Sequence, residues 1–97
     1  MLHREVIALI AQELDDSPAP QYIDVSRREV FANKKSPSRT EFSAAGAVGI
    51  NAQVVFEVRE GEYGGEQVIE HEGTRYNVYR VYEKGFAIEI YCGSVKG

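Results

Sequence analysis

Few residue types in this chain could form a catalytic or metal-binding centre. The two histidines, His3 and His71, and the single cysteine, Cys92, are far apart in the sequence. A zinc site needs three or four ligands, and neither histidine has a partner at metal-ligand spacing, so we expect structural or solvent-exposed roles for both. Cys92 ends an apolar strand face and is predicted to be a small core residue. These residues predict no enzyme, no cofactor and no bound metal.

The carboxylates offer no clearer active site. The chain has 15 acidic residues, and its glutamates fall mostly at outward positions of alternating strands. This pattern predicts a solvated surface rather than a catalytic carboxylate pair. The segment "GEYGGE" (61–66) is too short and wrongly placed for a phosphate-binding loop, which should lead into a helix.

Positive charge is concentrated in one segment, residues 27–39. Five of the eleven basic residues lie there: Arg27, Arg28, Lys34, Lys35 and Arg39. With nearby aromatics, this segment could bind single-stranded nucleic acid. The preferred interpretation is an exposed strand whose charges prevent edge-to-edge pairing, because the net charge of −4 argues against a general affinity for phosphates.

Aromatic residues are concentrated near the C-terminal end, and they could form a base-stacking surface, a ligand pocket or a core. In "FAIEIYC" (86–92), Phe86, Ile88 and Ile90 share one face, as in a half-buried strand. We therefore predict that Phe86 and Tyr76 belong to the core. Tyrosines on the opposite face would need cover from a barrel wall, the short helix or another copy of the chain.

Residues 53–92 predict a four-stranded antiparallel meander. "QVVFEVRE" (53–60) alternates, whereas "RYNVYRVY" (75–82) changes phase, so either both faces are covered or a bulge shifts the register. Tight turns are predicted at Glu72-Gly73 and Lys84-Gly85. The predicted core residues of this half are Phe56, Val58, Phe86, Ile88 and Ile90.

The first half of the chain is less regular. "REVIALIAQEL" (4–14) fits either a helix or a strand, and residues 15–21 predict a flexible loop. "RREVFANKK" (27–35) predicts a short strand with Val30 and Ala32 on one face and Phe31 on the other.

A short helix is predicted over residues 39–47, ending near Gly49. Ser38 and Glu41 have the spacing of a capping box, in which each side chain accepts a hydrogen bond from the other's backbone N–H. The predicted fold is a single mainly β domain (1–97), a small antiparallel barrel or meander of about six strands with this helix between the second and third.

Four features in order resemble the head-closure proteins of long-tailed bacteriophages, also called head–tail joining or stopper proteins. They are "SPSRTEF" followed by small residues, the "VFEV" strand, the "EHEGTRYNVYRVY" hairpin and the closing "IEIYC". The resemblance covers residues 27–92. "REVIALIAQE" also fits the family's first strand, which favours a strand there. Pro37 departs from the family pattern, and the 15–25 loop matches it only loosely.

The resemblance implies a structural, non-enzymatic role. Such proteins are small β-barrels that form a ring, usually of twelve copies, below the portal and adaptor rings. The ring closes the DNA channel and offers a surface to the tail. The expected partners are other copies, the portal or adaptor ring, tail proteins and packaged DNA bound without sequence specificity, while the free chain could be monomeric.

The resemblance also implies a location in the virion connector, after synthesis in the host cytoplasm. A lone cysteine fits an intracellular protein, and the longest apolar run, "VIALIA" (6–11), is too short to span a bilayer, so no membrane partner is expected. The alternative function is a small nucleic-acid-binding β-barrel that uses the basic 27–39 segment.

The resemblance places the assembly function in residues 36–50, the connection between the second and third strands. A helix of about nine residues is unstable without packing, so this segment is predicted to be mobile. The resemblance implies that it can face the channel and help to close it. The alternative is an ordinary helix that caps one end of the barrel. The candidate residues are Ser38, Arg39, Glu41, Phe42, Ala45, Gly46 and Gly49, with Phe42 as the apolar anchor.

Overall fold

A computed structural model describes residues 5–95, which form one closed antiparallel barrel with a single helix on its outside. The predicted fold class, mainly β with a helix between the second and third strands, is confirmed. The elements are β1 (Glu5–Leu14), β2 (Tyr22–Lys35), α1 (Arg39–Ala47), β3 (Ile50–Arg59), β4 (Val68–His71), β5 (Thr74–Lys84) and β6 (Ala87–Val95).

The order of strands around the barrel is β1-β2-β3-β6-β5-β4, and β4 returns to β1. The predicted meander is therefore only partly right. β4, β5 and β6 are consecutive neighbours, but β3 pairs with β6, as in the partners Phe56 and Ile90. β3 and β6 are of nearly equal length and pair along most of it, whereas β4 has only four residues and closes the barrel against β1.

The first half of the chain forms a long hairpin. The ambiguous "REVIALIAQEL" segment is the strand β1, and β2 begins earlier than predicted, at Tyr22. Val30 and Ala32 are buried and Phe31 is exposed, as the alternation predicted. Only residues 33–35 of β2 pair with β3, so the other end of the β1–β2 hairpin extends away from β3.

One of the two predicted tight turns is shifted by a residue. Glu72 and Gly73 form the β4–β5 turn with φ values of 52° and 81°, which suit this position. The β5–β6 turn consists of Gly85 and Phe86, and Gly85 has the positive φ of 68°. Phe86 therefore belongs to the turn and not to β6. Its predicted burial is wrong, since 92% of the residue is exposed.

The barrel interior holds the main hydrophobic core. The predicted core residues Phe56, Val58, Ile88 and Ile90 are buried there, and the ring of Tyr76 packs edge-on against Phe56 with centroids 5.8 Å apart. The other buried members of this cluster are Ile7, Leu9, Val30, Ala32, Val54, Ile69 and Cys92.

The phase change within β5 is a bulge. The register between β5 and β6 shifts between Val78 and Arg80, so Tyr79 is the additional residue. This is one of the two alternatives that the sequence left open. The bulge places Tyr79 and Arg80 beside the helix, where the candidate site lies.

Candidate functional site

The predicted helix boundaries are confirmed, and its N-terminal cap is half of a capping box. The backbone N–H of Glu41 donates to Ser38 Oγ at 3.0 Å. The Glu41 carboxylate does not return to the Ser38 backbone. It accepts hydrogen bonds from the Tyr79 hydroxyl at 2.7 Å and from Arg80. The hydrogen bond that would complete the capping box is therefore replaced by hydrogen bonds that join α1 to β5.

The packing residue of α1 differs from the predicted one. Ala45 is buried, whereas Phe42 is 49% exposed and is not the anchor that the sequence suggested. The helix lies against β3, and a small side chain at the contact lets the two backbones come close. Gly49, with φ of 83°, ends the helix as predicted.

The remaining candidate residues of segment 36–50 contribute to the ends of the helix. Arg39 begins α1 and is exposed, and the Gly46 carbonyl accepts a hydrogen bond from the Gly49 N–H at 3.1 Å. The structure thus keeps the candidate residues together on one element. That this element faces a channel stays a prediction.

A groove of about 470 Å³ lies between one side of the helix and the sheet. The helix provides Ala44 and Val48, β3 provides Ile50, and the link between Glu41 and β5 forms the polar end. Val48 is 73% exposed at the rim. The groove could accept an apolar side chain from another molecule.

Tyrosines on the face opposite the core were expected to need cover, and neighbouring side chains cover the two that lie next to the helix. Tyr79 packs edge-on against Tyr91 with centroids 6.3 Å apart, and the Arg80 guanidinium lies 4.1 Å from the centre of the Tyr91 ring. Burial and the hydrogen bond to Glu41 raise the pKa of Tyr79 above its usual range. These tyrosines support the helix, while Tyr82 is 52% exposed.

Three of the five basic residues in segment 27–39 form ion pairs with carboxylates. Arg27 Nη2 lies 3.0 Å from Glu70, Arg28 Nη2 lies 2.6 Å from Glu66, and Lys35 Nζ lies 3.1 Å from both Glu57 and Glu89. Most of the positive charge of this segment is therefore balanced by the protein itself. Lys34 and Arg39 are exposed.

The prediction that the glutamates are solvated is wrong for several of them. Glu57 and Glu66 are only 9% and 6% exposed. Burial alone would raise the pKa of Glu57, but hydrogen bonds from Lys35 and Asn33 outweigh it and hold the pKa below its usual value. Burial alone would also raise the pKa of Glu66, but hydrogen bonds, above all the one from Arg28, outweigh it and lower the pKa. The strand periodicity could not show that Lys35 of the neighbouring strand β2 would cover Glu57, and Glu66, which Arg28 of β2 covers, lies in the loop before β4.

The residues considered for metal or nucleophilic chemistry have different surroundings. Cys92 is a buried core residue, as predicted, and burial raises its pKa to about 12. The His71 side chain is 4% exposed, and Nε2 forms a 2.6 Å hydrogen bond with Glu5. His71 also packs edge-on against Phe56, so it is a buried, packed residue and not a solvent-exposed one. His3 lies outside the described residues.

A set of exposed apolar side chains was not predicted from the sequence. We call Leu14 and Tyr22, which are cross-strand partners at the end of the β1–β2 hairpin, the hairpin patch; they are 56% and 67% exposed. We call Tyr82 and Phe86, at the β5–β6 turn, the turn patch. Large apolar residues directly beside the predicted 15–21 loop were the signal that could have revealed the first patch.

No family model, no curated protein and no solved structure matches this chain. Within residues 5–95, the single helix has neither the length nor the apolar character that crossing a membrane requires. The surfaces and side-chain contacts described above are therefore the basis for a functional proposal.

Proposed function

We propose that this chain is a structural subunit that assembles into a ring as the head-closure component of a bacteriophage head–tail connector. The observation that carries the proposal is the presence of two separate exposed apolar patches at one end of the barrel. The resemblance in residues 27–92 gives the proposal its family, and the patches give it a physical means of assembly.

The two patches lie at the same end of the barrel. β1 is antiparallel to β4, and β4 is antiparallel to β5, so β1 and β5 run in the same direction. The hairpin patch follows the end of β1, and the turn patch follows the end of β5. Both therefore project from one end.

The patches also lie on opposite sides of that end. Around the barrel, β3 separates the β1–β2 hairpin from β6 on one side, and β4 separates it from β5 on the other. A ring needs a heterologous contact, in which one surface of a subunit binds a different surface of the next. Two different apolar patches on opposite sides meet this requirement.

The turn patch has the more unusual exposure. Phe86 exposes 92% of its surface to solvent, and Tyr82, near the same turn, is also exposed. Single exposed apolar residues are common, but aromatic side chains are enriched at the contact surfaces of proteins. In the proposed ring it packs on a neighbouring copy, on the portal or adaptor ring, or on a tail protein. Packaged DNA would pass through the channel without sequence-specific contacts.

Electron microscopy of the protein mixed with the portal and adaptor rings of the same phage tests the proposal. We expect an added ring below the adaptor with the wild-type chain. Tyr22→Ser and Phe86→Ser should each reduce its occupancy, because each removes an apolar contact from one patch. Both substitutions are at exposed positions and should leave the free energy of unfolding within about 0.5 kcal/mol of the wild type.

Phe31→Ser is the matched control, because Phe31 is 62% exposed on the barrel wall and belongs to neither patch. It should leave ring occupancy unchanged. The absence of an added ring, or rings unaffected by both patch variants, would contradict the proposal. Tight, salt-sensitive DNA binding by the free chain would instead favour the nucleic-acid-binding alternative through residues 27–39.

A further inference from the structure

We propose that Glu5, His71 and Glu72 form a binding site for a divalent transition-metal ion, with Zn²⁺ as the preferred ion, at one mouth of the barrel. The inference is independent of the connector role. It rests on three side chains that are distant in the sequence and that the closure of the barrel brings together.

Barrel closure creates the group. β1 begins at Glu5, β4 ends at His71, and the two strands are antiparallel neighbours, so these residues lie at the same end. Glu72 follows His71 as the first residue of the β4–β5 turn. The potential donor atoms of the three residues all lie within 4.8 Å of one another.

The histidine ring is held in place by packing. Its side chain is 4% exposed, and the ring packs edge-on against Phe56 with centroids 5.4 Å apart. Nε2 is directed at the carboxylates, 2.6 Å from Glu5 Oε1 and 4.0 Å from Glu72 Oε1. A fixed imidazole with two carboxylates beside the same nitrogen is a partly preorganised ligand set.

The second carboxylate distinguishes a metal site from a structural hydrogen bond. Nε2 carries one hydrogen at most, and Glu5 is close enough to accept it. Glu72 is 76% exposed and, within residues 5–95, its carboxylate has no closer partner than this nitrogen. A divalent cation would bind both carboxylates and the nitrogen at once, with the neutral ring then carrying its proton on Nδ1.

The donor types determine the choice of ion. One imidazole nitrogen and two carboxylate oxygens suit Zn²⁺, which takes nitrogen and oxygen ligands at about 2.0–2.2 Å, with water in the remaining position. Mg²⁺ and Ca²⁺ prefer six or more oxygen ligands. The site should therefore discriminate in favour of transition metals.

A bound ion would also reinforce one of the two shortest strand pairings of the barrel. β1 and β4 pair at only three positions, from Ala8 with Glu70 to Ile10 with Val68. The proposed ligands join β1 to the β4–β5 turn beyond these pairs. Because the unfolded chain lacks the preformed site, metal binding should stabilise the folded state.

Isothermal titration of the tag-free 97-residue protein with ZnCl₂ tests the site, together with thermal unfolding at increasing ZnCl₂. We expect one ion per chain, a melting temperature that rises with ZnCl₂, and no comparable effect of MgCl₂. Loss of even an outer-shell partner typically lowers metal affinity roughly 10–100-fold. Glu72→Gln and Glu5→Gln should therefore each lower it by at least about tenfold.

The choice of variants keeps the result interpretable. Glu72→Gln alters an exposed side chain and should fold normally, whereas a substitution of buried His71 could unfold the barrel. Glu83→Gln, an exposed glutamate on β5, is the matched control and should bind Zn²⁺ as the wild type does. His3→Ala tests a contribution from the N-terminal residues. The inference is overturned if no ion binds, if Glu72→Gln binds as tightly as the control, or if only His3→Ala removes binding.

Discussion

Two phenylalanines show how local position decides the contribution of a single residue. Phe56 lies within one alternating apolar segment, and Phe86 begins another. Both were predicted to be in the core. Phe56 is fully buried in the barrel, and Phe86 lies in a two-residue turn with 92% of its surface exposed. Their difference comes from a one-residue shift of the turn.

The two residues should therefore respond very differently to truncation. Phe56→Ala should lower the free energy of unfolding by about 3–5 kcal/mol, because it removes buried surface and leaves a cavity. Phe86→Ala should change it by no more than about 0.5 kcal/mol. Urea unfolding of both variants measures the contrast, and similar losses in the two would show that the turn is misplaced.

A second residue-scale feature is the charge cluster around Lys35. Its Nζ lies 3.1 Å from Glu57 and from Glu89, which are direct cross-strand partners on β3 and β6. Burial alone would raise the pKa of each carboxyl, but hydrogen bonds outweigh it and lower the pKa; Lys35 donates to both carboxylates, Asn33 also donates to Glu57, and Tyr91 also donates to Glu89. The lysine thus prevents repulsion between two adjacent carboxylates.

This cluster predicts a specific loss of stability in acid. A carboxyl whose pKa is lower in the folded state contributes stability above its unfolded pKa of about 4.5, and that stability is lost as the pH falls through the folded value. The wild type should therefore lose stability below about pH 4.5. Lys35→Met should be less stable at pH 7 and should lose less on acidification.

Urea unfolding between about pH 3 and 7 checks this prediction. Lys34→Met is the control, because Lys34 is an exposed neighbour on the same strand. It should follow the wild-type profile. Equal acid dependence in the Lys35 and Lys34 variants would mean that the cluster contributes nothing to the pH dependence.

At the scale of elements, α1 is a short helix that lies against β3 and is joined to β5 by side-chain hydrogen bonds. Ala45 is its buried residue, and the Glu41 carboxylate bonds to Tyr79 and Arg80. Few buried apolar contacts are typical of segments that open locally. The hypothesis that residues 36–50 are mobile remains a prediction. Opening of this segment would require the hydrogen bonds between Glu41 and β5 to break.

Hydrogen exchange on the free protein tests this mobility. Amides 40–47 should exchange at a lower free energy than amides 87–91 of β6, and Glu41→Gln should lower it further without affecting β6. Glu83→Gln should have no effect on either segment. Protection of α1 equal to that of β6 would identify the helix as a fixed part of the barrel and end the mobile-segment hypothesis.

At the scale of the molecule, the chain is elongated and carries a net negative charge. The radius of gyration is 13.9 Å and the extents are 45 × 31 × 24 Å, so the chain is elongated, in keeping with a β1–β2 hairpin that extends beyond β3. The net charge is −4, and three of the five basic residues in segment 27–39 are paired with carboxylates.

The free chain should therefore bind duplex DNA weakly. At about 150 mM salt we expect a dissociation constant no tighter than the 10⁻⁴–10⁻⁶ M of ordinary non-specific binders. Fluorescence anisotropy across a salt series measures both the affinity and its salt dependence. A sub-micromolar constant that weakens when Lys34 and Arg39 are replaced by Ala would favour the nucleic-acid-binding alternative.

The sequence by itself determined the elements whose signals are local. The bounds of α1 followed from Ser38 and Gly49, the β4–β5 turn from Glu72 and Gly73, and the buried face of β6 from Ile88 and Ile90. Each depends on backbone preferences or on a period of two, which neighbouring residues carry.

Only the tertiary structure decided which strands are neighbours, because pairing depends on contacts between residues far apart in the chain. β3 pairs with β6 rather than β4, and this places Glu57 beside Glu89 and Lys35 between them. Closure of β4 on β1 likewise brings Glu5 to His71. The candidate metal site and the paired charges of segment 27–39 arise from these long-range strand pairings, and no local pattern in the sequence contains them.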